Sequence, residues 1–313
     1  MPLDPLVKAF LDQMSAIPSP KLWMLSPIQA REVFKTSMRI SGPKDVPVGK
    51  IENISIPGLG GPLRLRLYKP IAAGGEAVPV LVYFHGGGFV LGDLDTHDGL
   101  CRMLVDEGGF AVVAVDYRLA PEHVYPAAAD DAYAALAWIE QNASDLGIDA
   151  NCIAIGGDSA GAHLAAVVTH LARDKGAPKI AFQLLLFPST QFGDQTASRQ
   201  QFSIGYFLDK QTLDWYASKL LPPGMDSSSP LISPLHAKDF AGLPPAYIML
   251  GGYDPLHDEG LHYANKLKQA GIPVMVDDYS DMVHCFIYLQ TILPQANEAV
   301  KKAAKAVRAA LLD

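Results

Sequence analysis

From about residue 80 onward, hydrophobic positions follow one repeating pattern. A short, nearly unbroken apolar run is followed by a longer stretch in which apolar and polar positions recur at helical spacing. The runs fall at 80–84, 111–115, 152–155, 182–187, 246–250 and 274–276. Runs this short, apolar at nearly every position, predict strands buried on both faces, as in a parallel sheet covered by helices on each side. The stretches 127–141, 160–173, 209–221, 258–270 and 297–312 predict amphipathic helices. Strand and helix in alternation predict an open, mostly parallel α/β sheet.

Three regions depart from this pattern. Residues 51–56 and 63–68 alternate apolar and polar positions with Gly and Pro between them, which predicts an antiparallel hairpin at a sheet edge. Residues 1–50 read as helical pieces broken by Pro18, Pro20, Pro27, Pro43 and Pro47. Residues 190–235 interrupt the alternation with a mixed aromatic and polar stretch, a Pro-Pro-Gly at 222–224 and a serine run at 227–229. Neither segment is long enough to hold its own core. The expectation is one domain over 1–313, with a small helical cap formed by 1–50 and 190–235.

Composition narrows the function classes. The 313 residues are 49% apolar and 19% charged, ample for a packed core and unlike a disordered chain. The formal net charge of −8 comes without a dense Lys/Arg patch, so nucleic acid is not an expected partner. The three cysteines, Cys101, Cys152 and Cys285, are too few and too odd in number for a disulfide framework. At the N-terminus, Asp4, Lys8 and Asp12 interrupt the apolar spacing, so no secretory signal is expected. No apolar run approaches the length of a membrane span. These features together predict a soluble, cytoplasmic protein.

The candidate chemistry starts at Gly157-Asp158-Ser159-Ala160-Gly161, which closes a strand-like run and opens a helix-like one. A serine on a sharp strand-to-helix turn, with glycine two positions before and after it, fits a nucleophile elbow. Its bland alternative is a glycine-rich turn with serine as helix N-cap. Upstream, His85-Gly86-Gly87-Gly88-Phe89 follows the strand at 80–84. Consecutive glycines let a loop aim its amides at a developing oxyanion, and loss of one such donor typically costs about 3–4 kcal/mol of barrier. A serine hydroxyl needs a base, and the base needs an orienting acid, in the chain order Ser, Asp/Glu, His. Asp254 follows the apolar run at 246–250, and His284 follows the run at 274–276. His257 and His262 precede the last strand and read as helix or surface residues. Asp258 and Glu259 suit a helix N-terminus. Asp277, Asp278 and Asp281 lie too near His284 in sequence to sit behind its imidazole. The pattern contains no H-E-x-x-H, no paired-cysteine spacing and no phosphate-binding G-K-[ST] ending.

These motifs, with Asp116-Tyr117-Arg118-Leu119-Ala120-Pro121-Glu122, Asp254-Pro255-Leu256-His257-Asp258-Glu259 and Met282-Val283-His284-Cys285-Phe286, resemble the bacterial hormone-sensitive-lipase-like (family IV) carboxylesterases of the α/β-hydrolase fold. The resemblance runs from about residue 50 to the C-terminus. It implies a triad of Ser159, Asp254 and His284, an oxyanion hole of Gly87, Gly88 and Ala160, and hydrolysis of short- to medium-chain esters through an acyl-enzyme, with neither cofactor nor metal. It also implies bracing roles for Arg118 and Glu122, a loop-holding role for His85, and room for a homodimer. Phe89, Trp23, Met24, Phe34, Tyr206, Phe207 and Trp215 are expected as substrate walls. Ala162 and Cys285 stand where the family commonly has Gly, and are expected to add bulk near the pocket. An amidase, lactonase or deacetylase with the same triad is the alternative, and a non-catalytic small-molecule receptor is a more distant one.

Overall fold

The computed structural model describes residues 1–312 except 44–45, 72–76 and 194–195, so those four positions of the two expected cap segments lie outside the described residues. In chain order the elements are α1 (Pro5–Ala16), α2 (Pro27–Ser41), β1 (Lys50–Gly58), β2 (Gly61–Lys69), β3 (Val78–Phe84), α3 (Asp98–Gly108), β4 (Ala111–Asp116), α4 (Ala127–Gln141) and α5 (Ala143–Leu146). They continue with β5 (Ile148–Asp158), α6 (Ala160–Lys175), β6 (Phe182–Leu186), α7 (Ala197–Gln201), α8 (Lys210–Leu220), β7 (Ala246–Tyr253), α9 (His257–Gln269), β8 (Val274–Val283) and α10 (Pro294–Leu312).

The strands form one eight-stranded sheet in the order β1-β2-β4-β3-β5-β6-β7-β8. The β1–β2 hairpin is antiparallel and ends the sheet on one side, while β4, β3, β5, β6, β7 and β8 run parallel. Unbroken apolar runs produce this because alternate side chains enter different cores. In β3, Val80, Val82 and Phe84 join the core under α4, α6 and α9, whereas Leu81 and Tyr83 join the core under α3 and α10. The predicted hairpin and the six predicted strands are all present, as are the five predicted helices, each within three residues at either end.

Two elements differ from the sequence expectation. Helix α3 carries the core residues Leu100, Cys101, Leu104 and Val105 but was not foreseen in the stretch after the glycine-rich loop. Strand β8 extends through Asp277, Asp278, Ser280 and Asp281, far beyond its apolar start. It pairs only with β7, so water reaches its outer edge and polar residues are tolerated there.

The segments at 1–50 and 190–235 attach to the sheet through charged anchors. Arg31 of α2 donates to the Val90 carbonyl at 2.8 Å and the Ala120 carbonyl at 2.9 Å, and forms a paired contact with Glu122 at 2.7 and 2.9 Å. Ser198 and Arg199 of α7 bond to the start of α9: Ser198 N to Asp258 at 2.9 Å, Ser198 Oγ to the Pro255 carbonyl at 2.9 Å, and Arg199 Nε to Glu259 at 2.8 Å. Glu259 is fully buried and also accepts from Thr190 N at 2.8 Å, so it does more than complement a helix end. Arg118 forks onto Asp131 of α4 with two contacts of 2.8 Å.

Asp131 is 1% exposed, so taking away its guanidinium partner leaves a buried charge uncompensated. Arg118→Met should therefore destabilise the fold by about 3 kcal/mol, and adding Asp131→Leu should recover most of that loss. Urea unfolding of the single and double variants checks this. A single variant as stable as wild type would show that the pair holds nothing.

Candidate active site

Strand β5 ends at Asp158 and α6 begins at Ala160, which leaves Ser159 as the sole turn residue, at φ 53° and ψ −115°. A non-glycine residue in such a region costs roughly 1–3 kcal/mol and persists only where its surroundings impose it. Here Ser159 N donates to the Leu186 carbonyl at 2.8 Å, and the Ser159 carbonyl accepts from His163 N at 3.0 Å. The turn also presses against the end of β3. A Cβ on Gly161 would lie 1.9 Å from the Phe84 carbonyl oxygen, and one on Gly157 would lie 2.3 Å from it. The two glycines of the motif are there for this approach.

Asp254 follows β7 and His284 follows β8. His284 Nδ1 lies 2.6 Å from Asp254 Oδ2, and His284 Nε2 lies 3.0 Å from Ser159 Oγ. Asp254 also accepts from Leu256 N at 2.8 Å, which fixes its carboxylate from the other side. Both side chains are buried, Asp254 at 1% and His284 at 4% exposure. Burial by itself would keep the imidazole neutral. The Asp254 carboxylate outweighs that effect, and His284 is held well above the ordinary histidine value of 6.5. The chain from carboxylate to imidazole to hydroxyl is the arrangement that lets a serine lose its proton as it attacks.

The glycine loop lies against this centre. Among the described residues, no acceptor takes a hydrogen bond from the amides of Gly87, Gly88 or Ala160. The Gly86 amide, in contrast, points the other way, to Asp158 Oδ1 at 3.0 Å and His97 Nε2 at 3.2 Å. Gly87 and Gly88 adopt φ 115° and 61°, values that turn the loop back on itself and that side chains rarely take. Free amides at such a bend, with Ala160 N at the start of a helix, can stabilise a negative oxygen.

Residues not foreseen from the sequence hold this loop. Asp158, 1% exposed, accepts from Tyr83 OH at 2.7 Å as well as from Gly86 N, and lies 3.5 Å from His97 Nε2. Burial raises its pKa, but His97 and Tyr83 outweigh that and hold it below the usual carboxylate value. Asp158 stands inside the serine motif, yet its partners come from β3, the glycine loop and the residue before α3, a convergence that sequence spacing does not reveal. His85 fits the loop-holding expectation: Nδ1–H donates to the Gly86 carbonyl at 2.8 Å and the ring stacks on Tyr117 at 4.2 Å. Burial lowers its pKa to about 4, so it stays neutral. The rivals are engaged elsewhere. His257 sits between Asp258 and Asp278, both at 3.2 Å, and Asp277 binds Tyr247 OH and Lys302.

A cavity of about 150 Å³ opens beside Ser159, Gly88 and Ala160. Its apolar walls are Phe89, Phe192, Leu208, Leu213, Tyr216 and Leu256. Of the seven expected walls, only Phe89 lines it. Trp215 misses by one helical position: Leu213, Tyr216 and Ala217 of α8 face the cavity at i, i+3 and i+4, while Trp215 points away towards Lys219. Tyr206 packs against Phe202 and Tyr253, Phe34 lies beside His97, and Met24 and Phe207 are exposed. The Trp23 indole N–H is buried with no partner, and Trp23 does not line the cavity. Ala162 and Cys285 do not line the cavity either. Cys285 sits at φ 55°, the left-handed backbone that explains why glycine suits that position.

Residues 81–288 match a family described as having the alpha/beta hydrolase fold. Esterase LipI of Mycobacterium tuberculosis is 42% identical over 267 residues, covering 84% of this chain and 82% of that protein. Carboxylesterase NlhH of the same species is 37% identical, covering 99% of this chain and 96% of that protein. An ester hydrolase from the metagenome of Lake Arreo, solved with a bipyridine phosphonate derivative, superposes with a TM-score of 0.96 at 39% identity, covering 98% of each chain.

The chain belongs to the hormone-sensitive-lipase-like carboxylesterases. As a carboxylesterase it is a serine ester hydrolase, and the amidase and receptor alternatives are not favoured. Among its described residues, no helix is long and apolar enough to cross a membrane.

The Asp254 contact fixes the sign of a titration. In the carboxylesterase, the His284 ring should protonate with a midpoint above 6.5, and Asp254→Asn should move that midpoint down, because the carboxylate that opposes burial is then gone. NMR titration of the histidine ring protons measures both. A wild-type midpoint at or below 6.5, or one unmoved in the variant, would refute the electrostatic argument.

Proposed function

We propose that this carboxylesterase hydrolyses short- to medium-chain carboxylic esters, with Ser159 as nucleophile, His284 as general base and acid, and Asp254 as its orienting partner. The observation that carries the reading is the continuous contact from Asp254 through His284 to Ser159 Oγ, at 2.6 and 3.0 Å. His284 takes the hydroxyl proton as Ser159 Oγ attacks the ester carbonyl. The amides of Gly87, Gly88 and Ala160 receive the oxyanion. The alcohol leaves with the proton from His284, and water then attacks the acyl-enzyme by the same route, regenerating the serine.

The cavity supports the size class. A void of about 150 Å³ is the volume that holds a benzene-sized molecule, which suits an acyl group of a few carbons better than a long fatty chain. The cap reading keeps both segments, with unequal parts. Residues 190–235 supply walls, whereas 1–50 brace the glycine loop through Arg31. A cytoplasmic location and a homodimer across the outer edge of β8 complete the reading. The free thiols of Cys101, Cys152 and Cys285 suit a reducing compartment, and that strand edge is open to pairing.

Ser159→Ala and His284→Ala should each lower kcat by roughly 10⁵-fold or more, and Ser159→Ala should leave the unfolding midpoint near wild type. A phosphonate should add one adduct mass to wild type and none to Ser159→Ala. The kcat/KM profile should fall as pH drops through a value above 6.5, where His284 gains its proton. Normal turnover in either variant would overturn the assignment of roles, and a rate maximum on long-chain p-nitrophenyl esters would overturn the size class.

A further inference from the structure

A second cavity adjoins the first, and the two share a wall. This side chamber, about 10 Å³, opens to the surface beside Leu231 and is lined by Tyr125, Ala128, Leu164, Val167, Leu220 and Ile232, with His163 its most polar side chain. Phe89 and Phe192 line both spaces, with ring centroids 6.3 Å apart. Each also packs edge-on against the His163 ring, at 5.2 and 5.6 Å. That imidazole is anchored through Nδ1 to the Ser189 carbonyl at 2.9 Å, and burial keeps it neutral by lowering its pKa to about 4. The three rings form a partition between the catalytic cavity and an apolar pocket with room for about one water.

The two phenylalanines are not equally fixed. Phe89 is 4% exposed, and its carbonyl accepts from Ala120 N at 2.9 Å, so it is set into the glycine loop. Phe192 is only half-buried. Its amide is tied to Ser233 Oγ at 2.9 Å, which pins its backbone, and its ring, unlike that of Phe89, is partly exposed next to Gly193, itself at φ 84° in the cavity wall. A turn of that ring, or its removal, joins the two spaces without moving the backbone.

We infer that the side chamber is a latent subsite for the aliphatic tail of an ester, and that the Phe192 ring is the partition that sets the chain-length limit. This rests on the ester-hydrolase reading of the same site. The tail belongs to either the acyl or the alcohol part, both saturated hydrocarbon, and the chamber's walls suit that class because they offer apolar contact and almost no hydrogen-bonding group.

The test compares full-length wild type with Phe192→Leu and Phe192→Ala on two substrate series: p-nitrophenyl esters from acetate to decanoate, and alkyl acetates from ethyl to octyl. Each profile is normalised to that protein's own acetate value. The wild-type kcat/KM should turn down after a few carbons. In Phe192→Ala it should keep rising, by up to about fourfold per methylene, for at least about two further carbons, the gain expected from burying each added CH₂. Phe192→Leu should fall between the two, and the series that shifts identifies which chain enters. Normalised profiles that superpose on wild type in both series, in variants whose circular dichroism and melting match wild type, overturn the inference. If wild type hydrolyses neither series, it is the ester-hydrolase reading that fails.

Discussion

The site depends on one close approach: the β5–α6 turn lies against the carbonyl end of β3. Gly157 and Gly161 give the Phe84 carbonyl the space it needs, and the strained Ser159 backbone is the consequence. The same contact brings Asp158 next to the glycine loop that leaves β3. The buried Asp158 carboxylate then binds Gly86 N and Tyr83 OH, which fixes the loop's first peptide and leaves the next amides free. The hydroxyl and the free amides are therefore not positioned separately. Both follow from how tightly two neighbouring parallel strands meet at their C-terminal ends, the end of an open α/β sheet where ligands bind.

Electrostatics adds the second constraint. His284 and Asp254 come from the far side of the sheet, after β8 and β7, and both are buried. An isolated imidazole at that depth would remain neutral, like His85 and His163, whose pKa values burial lowers to about 4. His284 departs from those two because a carboxylate faces it. Three buried histidines in one fold therefore differ through their partners, not their depth. His257 shows the same rule nearer the surface, where Asp278 and Asp258 raise it to about 9.

Much of this was legible in the sequence, and the exceptions share a cause. Strands buried on both faces announce themselves as apolar runs, and amphipathic helices by period, because burial acts on each residue through its near neighbours. The Ser159, Asp254 and His284 positions could be singled out because each follows a strand end. What stayed hidden required long-range partners or helix phase. Nothing in the spacing of Asp158, His97 and Tyr83 shows that they meet. Glu259 looks like a helix-start charge until Arg199 arrives from a segment sixty residues earlier. Trp215 was expected in the wall where Tyr216 stands, and one position on a helix rotates a side chain by roughly 100°, enough to take it from a pocket to a flank.

The two accessory segments show how walls and geometry are divided. Residues 190–235 bring Phe192, Leu208, Leu213 and Tyr216 to the cavity, and their attachment runs through Ser198 and Arg199 to the loop and helix that follow Asp254. Residues 1–50 bring nothing to the lining among the described residues, yet Arg31 grips Val90 and Ala120, and Ala120 N in turn holds the Phe89 carbonyl. A change in the first segment alters what fits. A change in the second alters where the glycine loop and its free amides lie. The cavity walls and the placement of the glycine loop thus rest on different stretches of chain, and they meet at Phe89, which belongs to the loop by its backbone and to the cavity by its ring.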